Sequence, residues 1–361
     1  MRAPTRAEIS LAAIRRNLDL IRTASGRPVM AVVKANAYGH GAIPVSSSLV
    51  EAGVERFAVA TLPEAVALRD AGLKGRVLVF GVPHPDELEA FVDHGLELTV
   101  STPELLTAVL EGGLPLAVQL QIDTGMVRLG LPTAGTAEAI QALSSHPSVS
   151  LTGVFTHFAS ADLEGNPQTA AQLEAWRQIR ALVPAGVETH AAASGGVFTS
   201  LGVAAESDVI RAGISLYGLY DPAADVPAPG LQPAMRLLSR VVRIQEVTAG
   251  TQVSYGGRWT APGSGRILTI VSGYADGVPR ALSSRGHVGL GPHRLPIAGT
   301  VCMDMFMAFT EDPAVEARVG DEVVIWGPGG PSVLEVARIA GTIPYEIVCG
   351  VSQRVERVFT N

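Results

Sequence analysis

Among 361 residues only Lys34 and Lys74 are lysines; the other 25 of the 27 strongly basic side chains are arginines. Lysine chemistry therefore has two candidate residues. Lys34 directly follows Val29-Met30-Ala31-Val32-Val33, a run that reads as a buried strand. An amine leaving such a strand is partly desolvated, which lowers its pKa and makes it usable as a nucleophile or base. A salt-bridged or snorkelling lysine is the alternative use of that position. Lys74, in Gly72-Leu73-Lys74-Gly75-Arg76, reads as a solvated loop residue. If the protein forms a Schiff base, Lys34 carries it. Four more apolar runs end in residues able to do chemistry. One runs into Asp123-Thr124-Gly125-Met126-Val127-Arg128, and one ends Thr156-His157. One ends at His190, ahead of Ser194-Gly195-Gly196, and one ends Arg211-Ala212-Gly213-Ile214. The eight histidines show no metal spacing, and there is no His-Glu-x-x-His or paired-Cys motif.

The elements that hold these residues are marked by glycine, proline and capping residues. Gly53, Gly72, Gly95 and Gly113 each close an amphipathic stretch and open an apolar run, at spacings of 19, 23 and 18 residues. Glycine after a helix is the left-handed C-cap signal. Thr61-Leu62-Pro63-Glu64 and Ser101-Thr102-Pro103-Glu104 have capping-box spacing with proline in the first turn. Asn166-Pro167 opens a helix that puts Leu173, Trp176, Ile179 and Val183 on one face. Between the helices lie eight β-rich runs: 29–33, 57–60, 77–80, 97–100, 116–122, 151–155, 187–189 and 208–210. Runs that do not alternate suit strands buried on both faces of a parallel sheet. Eight β-α units in about 220 residues imply an α/β fold, an N-terminal (β/α)8 TIM-like barrel with its chemistry at the C-terminal strand ends. A doubly wound sheet is the alternative, but no dinucleotide fingerprint is present. The pattern changes across 221–230, a Pro-rich linker signal. Beyond it, strand-like runs at 237–247, 267–271, 323–326 and 346–348 alternate with turn clusters, and only 333–340 looks helical. The expected domains are 1–230, the barrel, and 231–361, a mainly β C-terminal domain.

Composition narrows the function classes. With 47% hydrophobic and 17% charged residues the chain can bury a large core, which excludes general disorder. A net charge of −7 without blocks of like charge gives no support for binding nucleic acid or an anionic membrane. No apolar run has the length of a signal peptide or membrane span, so a soluble cytoplasmic protein is expected. Two cysteines, Cys302 and Cys349, exclude a disulfide scaffold and read as small buried hydrophobes.

The string Val32-Val33-Lys34-Ala35-Asn36-Ala37-Tyr38-Gly39-His40-Gly41 resembles the pyridoxal-phosphate lysine motif of alanine racemases. Stretches 123–130, 155–158, 211–218, 253–256, 273–277, 301–304 and 343–346 resemble the same family, in family order. The resemblance covers essentially the whole chain. It implies a homodimer with shared active sites that interconverts L- and D-alanine and supplies D-alanine for peptidoglycan. Lys34 would carry pyridoxal phosphate and serve as the base on one face of the substrate α-carbon. Tyr255 of the partner subunit would serve the other face, with His157 and Arg211 as its hydrogen-bonded partners. Arg211 would face the pyridine nitrogen, donating a hydrogen bond without giving up its proton. Tyr38, Ser194, Gly213, Ile214 and Tyr345 would hold the phosphate. Arg128 and the Met303 backbone N–H would hold the substrate carboxylate. Tyr274 and Tyr345 would gate a narrow access channel. Cys302, Met303 and Asp304 would come from the partner as well.

Two departures from the family pattern stand out. Ala193 replaces the usual asparagine, removing one polar contact near the cofactor. Gln121 stands where many members carry a carbamylated lysine. Gln121 can offer its carbonyl to Arg128, either alone or with a chloride beside both that supplies the missing negative charge. Three competing functions share parts of this pattern. A serine-preferring or broader racemase shares all of it. A fold-type-III amino-acid decarboxylase shares the barrel and lysine but fits 253–256 and 301–304 poorly. A non-catalytic pyridoxal-phosphate carrier would have the barrel alone.

Overall fold

The computed structural model describes residues 4–199, 202–220 and 230–361. The expected linker lies outside them, apart from Gly230. Two compact units are present. One comprises Ile14–Ala37 and Gly41–Leu231, the other Met1–Ala13, Tyr38–His40 and Gln232–Asn361.

The first unit is a barrel of parallel strands. In order they are Val29–Val32, Arg56–Val59, Arg76–Val79, Glu97–Val100, Ala117–Asp123, Ser150–Phe155, Glu188–His190 and Ile210–Ala212. Each pairs with the next up to the seventh, and the eighth pairs back on the first. The ring is nearly closed. Between the seventh and eighth strands, Asp208 N–H donates to Thr189 O at 2.7 Å and Arg211 N–H to Ala192 O at 3.0 Å. The first seven apolar runs lie within or largely overlap strands, and the eighth strand starts two residues later than expected, sharing only Ile210 with the run 208–210; the first and fourth strands are buried along their whole length. The four marked glycines all have positive φ, 57° to 89°, a conformation that a Cβ disfavours.

Caps set the helix starts. Thr61 caps Leu62–Asp70, with Glu64 reciprocating. Two units on, the cap sits at Thr102 rather than Ser101, its Oγ1 accepting from Leu105 N–H at 3.2 Å. Asn166 caps Pro167–Arg180, which buries Leu173, Trp176 and Ile179. Each such buried side chain contributes roughly 1.5–3 kcal/mol. Val183 falls past the end of this helix.

The second unit is built on the 13-residue strand Met235–Val247. It pairs antiparallel with Glu322–Trp326, with Gly265–Ile270 and with Arg6–Ser10. The N-terminal strand Arg6–Ser10, which sequence reasoning assigned to the barrel stretch 1–230, belongs to this sheet and also pairs parallel with Glu356–Thr360. Its burial alternates residue by residue, as in a sheet with one solvated face. The helix at 333–340 is present as Val333–Ala340. The strand expected at 346–348 is instead part of the helix Pro344–Cys349. Proline in its first turn fixes a helical φ, and that local signal outweighs the β-branched residues after it. Cys349 is exposed and Cys302 half-buried, so neither is a core residue. Among the described residues no helix is long and apolar enough to cross a membrane.

Candidate active site

At the end of the first barrel strand Lys34 is half-buried, whereas Lys74 is exposed in a turn. Immediately after Lys34 the chain does something its composition did not announce. Ala35, Asn36, Ala37 and Tyr38 all have φ between 52° and 54°, a full left-handed turn without glycine. L-residues disfavour this conformation by roughly 1–2 kcal/mol each. Named contacts offset the strain. Ala35 N–H donates to Glu64 Oε1 at 2.6 Å, Ala37 N–H to Val33 O at 2.8 Å, and Ala42 N–H to Asn36 Oδ1 at 2.8 Å. The second Glu64 oxygen accepts from Ala60 and Thr61, so one carboxylate caps a helix and anchors the lysine turn together.

The loop after the fifth strand is shaped by Asp123, whose Oδ1 accepts from Gly125, Met126 and Val127 N–H at 2.8, 2.9 and 3.2 Å. Arg128 follows, exposed and without a hydrogen-bond or ion-pair partner among the described residues. Gln121 does not reach it. Its Nε2 donates to Leu129 O at 3.0 Å. Gln172, buried in the long helix, ties this loop to the next strand end: its Nε2 donates to Thr124 Oγ1 and His157 O, and its Oε1 accepts from Ala159 N–H.

Arg211 sits deepest. Its NH1 donates to His190 Nδ1 at 2.6 Å and to His190 O at 2.9 Å. Its NH2 donates to Thr156 O at 2.7 Å, Ala191 O at 3.0 Å and His157 Nδ1 at 3.1 Å. No described residue accepts from Nε, which remains the open donor of the guanidinium. Because arginine offers donors only, both imidazoles must accept at Nδ1 and be neutral. Burial, then the charges of Arg211, Arg128 and Lys34, pull the His157 pKa down to about 3. His190 is lowered well below the ordinary range by burial, then Arg211. Burial and then the charge of Arg128 lower the Arg211 pKa to about 9, which still leaves it charged at neutral pH. The Phe155 ring stacks on His190 at 4.7 Å, and Arg211 lies 5.2 Å from that ring's centre.

Beside Arg211 two chain segments meet through Ser194. Its Oγ accepts from Gly213 N–H at 3.0 Å, Ser215 N–H at 3.3 Å and the Ser215 hydroxyl at 2.9 Å. Its own proton is left to donate. Ile214 opens a short 3-10 turn, Ile214–Tyr217.

The second unit carries its own cluster. The Tyr38 and Tyr345 rings lie 6.2 Å apart, and burial raises the Tyr38 pKa, keeping it a hydroxyl donor. Tyr255, Tyr274 and Met303 are exposed by 74%, 43% and 53%. The loops beneath them are pinned. Ser254 donates to Thr300 O at 2.9 Å, and Tyr274 and Ala275 N–H donate to Cys302 and Met303 O at 3.0 and 3.1 Å. A Cβ on Gly273 would lie 2.2 Å from Met303 O, so only glycine permits this approach. Arg354 clamps both loops, donating to Asp276 at 2.7 Å and Asp304 at 2.8 Å.

Comparison with known proteins decides the family. The family model described as alanine racemase, N-terminal domain, matches residues 9–221, and the one for the C-terminal domain matches 234–359. The chain belongs to the alanine racemase family. It is an enzyme, an amino-acid isomerase. A curated alanine racemase of Symbiobacterium thermophilum is 42% identical over 99% of this chain and 97% of its own length. The crystal structure of a biosynthetic alanine racemase from Pseudomonas aeruginosa, 39% identical, superposes with a TM-score of 0.91 over 100% of both chains. The alanine racemase of Bacillus anthracis, solved with bound L-Ala-P, is 32% identical, with a TM-score of 0.90 over 100% of this chain and 96% of its own. Sequence reasoning named the racemase motifs but missed the residues that hold them. Glu64 was visible only as a cap, Gln172 only as a helix residue, and Arg354 is one arginine among many.

Proposed function

We propose that the protein interconverts L- and D-alanine with pyridoxal phosphate as cofactor, in a homodimer, and supplies D-alanine for peptidoglycan. The observation that carries this reading is Arg211: a buried guanidinium held only by neutral acceptors, with Nε–H open, in the unit that also carries a strand-end lysine. The residues present fit the cofactor. Lys34 is the attachment point. Ser194, with a hydroxyl proton to donate, and the main chain at Gly213 and Ile214 suit its phosphate, as do the hydroxyls of Tyr38 and Tyr345. Ala193 contributes no polar contact there. Nε–H of Arg211 would be the donor available to the pyridine nitrogen. When bound, pyridoxal phosphate delocalises the electron pair left at the substrate α-carbon.

The chain's own residues move the protons. Lys34 Nζ takes or returns the α-proton on one face, and Tyr255 of the partner subunit does so on the other through its Oη. His157, accepting at Nδ1, presents Nε2–H to that phenol oxygen, and Arg211 behind it favours the deprotonated form. Arg128 and Met303 N–H of the partner subunit orient the carboxylate, and Tyr274 and Tyr345 restrict access. A halide beside Arg128 is favoured by the absence of an acidic partner for that guanidinium among the described residues; Gln121 keeps one amide hydrogen for it. Serine preference and decarboxylation are the outcomes to separate. D-alanine formation by the purified protein, with and without pyridoxal phosphate, tests the reading. Faster turnover of serine, or carbon dioxide release, would replace it. Borohydride reduction and peptide mapping should find the adduct on Lys34, and an adduct on Lys74 would defeat the assignment.

A further inference from the structure

Among the described residues Arg211 has no carboxylate partner of its own, yet a line of buried side chains leads from it to one. His190 Nε2 lies 2.7 Å from Gln119 Oε1, and Gln119 Nε2 donates to Glu97 Oε2 at 2.9 Å. Arg76 Nε donates to Glu97 Oε1 at 2.9 Å, and Arg76 NH1 donates to Glu188, which also accepts from Arg56. Gln119 and His190 are fully buried, and Glu97 and Arg211 nearly so.

The direction of every bond is forced. A carboxylate only accepts, so Gln119 turns its amide hydrogens to Glu97 and its carbonyl to His190. His190 must then donate from Nε2, which leaves the Nδ1 lone pair for Arg211. The amide matters as much as the contact. A carboxylate at this place would add a negative charge against Nε2 and raise the imidazole's pKa, favouring the imidazolium. An imidazolium has no lone pair, and its Nδ1–H would meet the NH1 donor of Arg211. An amide has no proton to exchange near neutral pH. The charged groups acting on His190 are Arg211, Arg76 and Arg56, with Glu97 and Glu188 paired to the last two and the Phe155 ring against its face.

We propose that Gln119 is a positioning residue that passes a hydrogen-bond acceptor, and not a proton, from Glu97 to His190, so that His190 keeps a lone pair aimed at Arg211. The catalytic consequence rests on the racemase reading; the protonation state of His190 does not.

The test is Gln119→Glu beside Gln119→Leu in the full chain, with histidine-selective 15N labelling, with and without pyridoxal phosphate. At neutral pH the unaltered protein should show His190 neutral with its proton on Nε2. Gln119→Glu should show it doubly protonated, and Gln119→Leu should leave it neutral. Racemisation should fall roughly 10–100-fold in Gln119→Glu, as for lost outer partners of metal-bound histidines, chiefly in kcat. It should fall less in Gln119→Leu. A role in packing alone gives the opposite order, because glutamate is the closer match in shape. Should Gln119→Glu fail to fold, Glu97→Gln combined with Gln119→Glu moves the carboxylate one place along the line without adding charge, and carries the same expectation. A neutral His190 in the carboxylate variant, or a slower Gln119→Leu, overturns the proposal. Failure of the unaltered protein to form D-alanine defeats the racemase reading instead, and the NMR result alone then decides what Gln119 does.

Discussion

Arg211 is 3% exposed and Tyr255 74%, and the two are held by different means. Arg211 is fixed by direct bonds from its own guanidinium to five acceptors in a dry interior, where a wrong charge is expensive. Tyr255 is fixed only through its backbone, by pinned loops that leave the ring in solvent. One region is complete within its own fold. The other presents reactive and apolar groups on a surface and needs something to cover them. In the proposed function, chemistry that depends on a defined protonation state falls to the first, and chemistry that needs an opposing surface falls to the second.

The sharpest way to break this contrast is to separate the two proposed bases. Tyr255→Phe and Lys34→Ala homodimers should each lose on the order of 10²–10⁴-fold in rate. Mixed under subunit exchange they should recover activity, because one site of the heterodimer keeps both bases. No recovery, with exchange shown by mass, would rule out a shared site. A smaller effect concerns stability. Arg211→Ala strands several buried acceptors and should lower unfolding free energy by roughly 3 kcal/mol or more, whereas Tyr255→Phe should leave the Tm of the chain unchanged. Equal losses in urea titrations would erase the distinction.

Protonation gives the third test. His157 binds protons in the unfolded chain near the ordinary imidazole value but in the folded one only at about 3, and His190 is shifted the same way. Their contribution to stability is therefore complete above about pH 6.5 and is lost as pH falls toward the folded values, by about 1.4 kcal/mol per pH unit for each histidine. His157→Asn should remove one histidine's share of that slope between about pH 4 and about pH 6. An unchanged slope would mean that His157 titrates normally. The smallest effect belongs to Arg354. Arg354 and Asp304 are about half exposed, and Asp276, though buried, keeps the Gly273 N–H donor, so Arg354→Gln should raise KM for alanine by no more than about fivefold with kcat nearly constant. A larger fall in kcat would make the clamp part of the chemistry.

Most of the barrel was legible because its signals are local. Thr61, Asn166 and the C-cap glycines punctuate the chain wherever they occur, and apolar runs between them have few alternatives to strands. The segment 346–348 was misread because a three-residue apolar run fits strand and helix alike, and only Pro344 arbitrates. Arg6–Ser10 was missed as a partner of Met235–Val247 because pairing over more than 200 residues leaves no mark on either segment. The lysine motif was legible as a string, but the left-handed turn within it was not, because alanine normally argues for the opposite hand. Gln121 was expected to offer its carbonyl to Arg128, but among the described residues no such bond is present, and the Gln121 amide donates to Leu129 O.

That turn has a consequence for how the protein tolerates chirality. Ala35 and Ala37 occupy, at φ 52° and 54°, the mirror image of the right-handed helix basin. For a D-residue this is the relaxed conformation, free of the local Cβ–backbone repulsion that an L-residue meets there. A chain assembled chemically with D-alanine at 35 and 37 should thus be more stable by about 1 kcal/mol at each position, in proportion to the strain removed. The proposed product of the reaction would then fit the enzyme's own backbone better than the amino acid the ribosome installs.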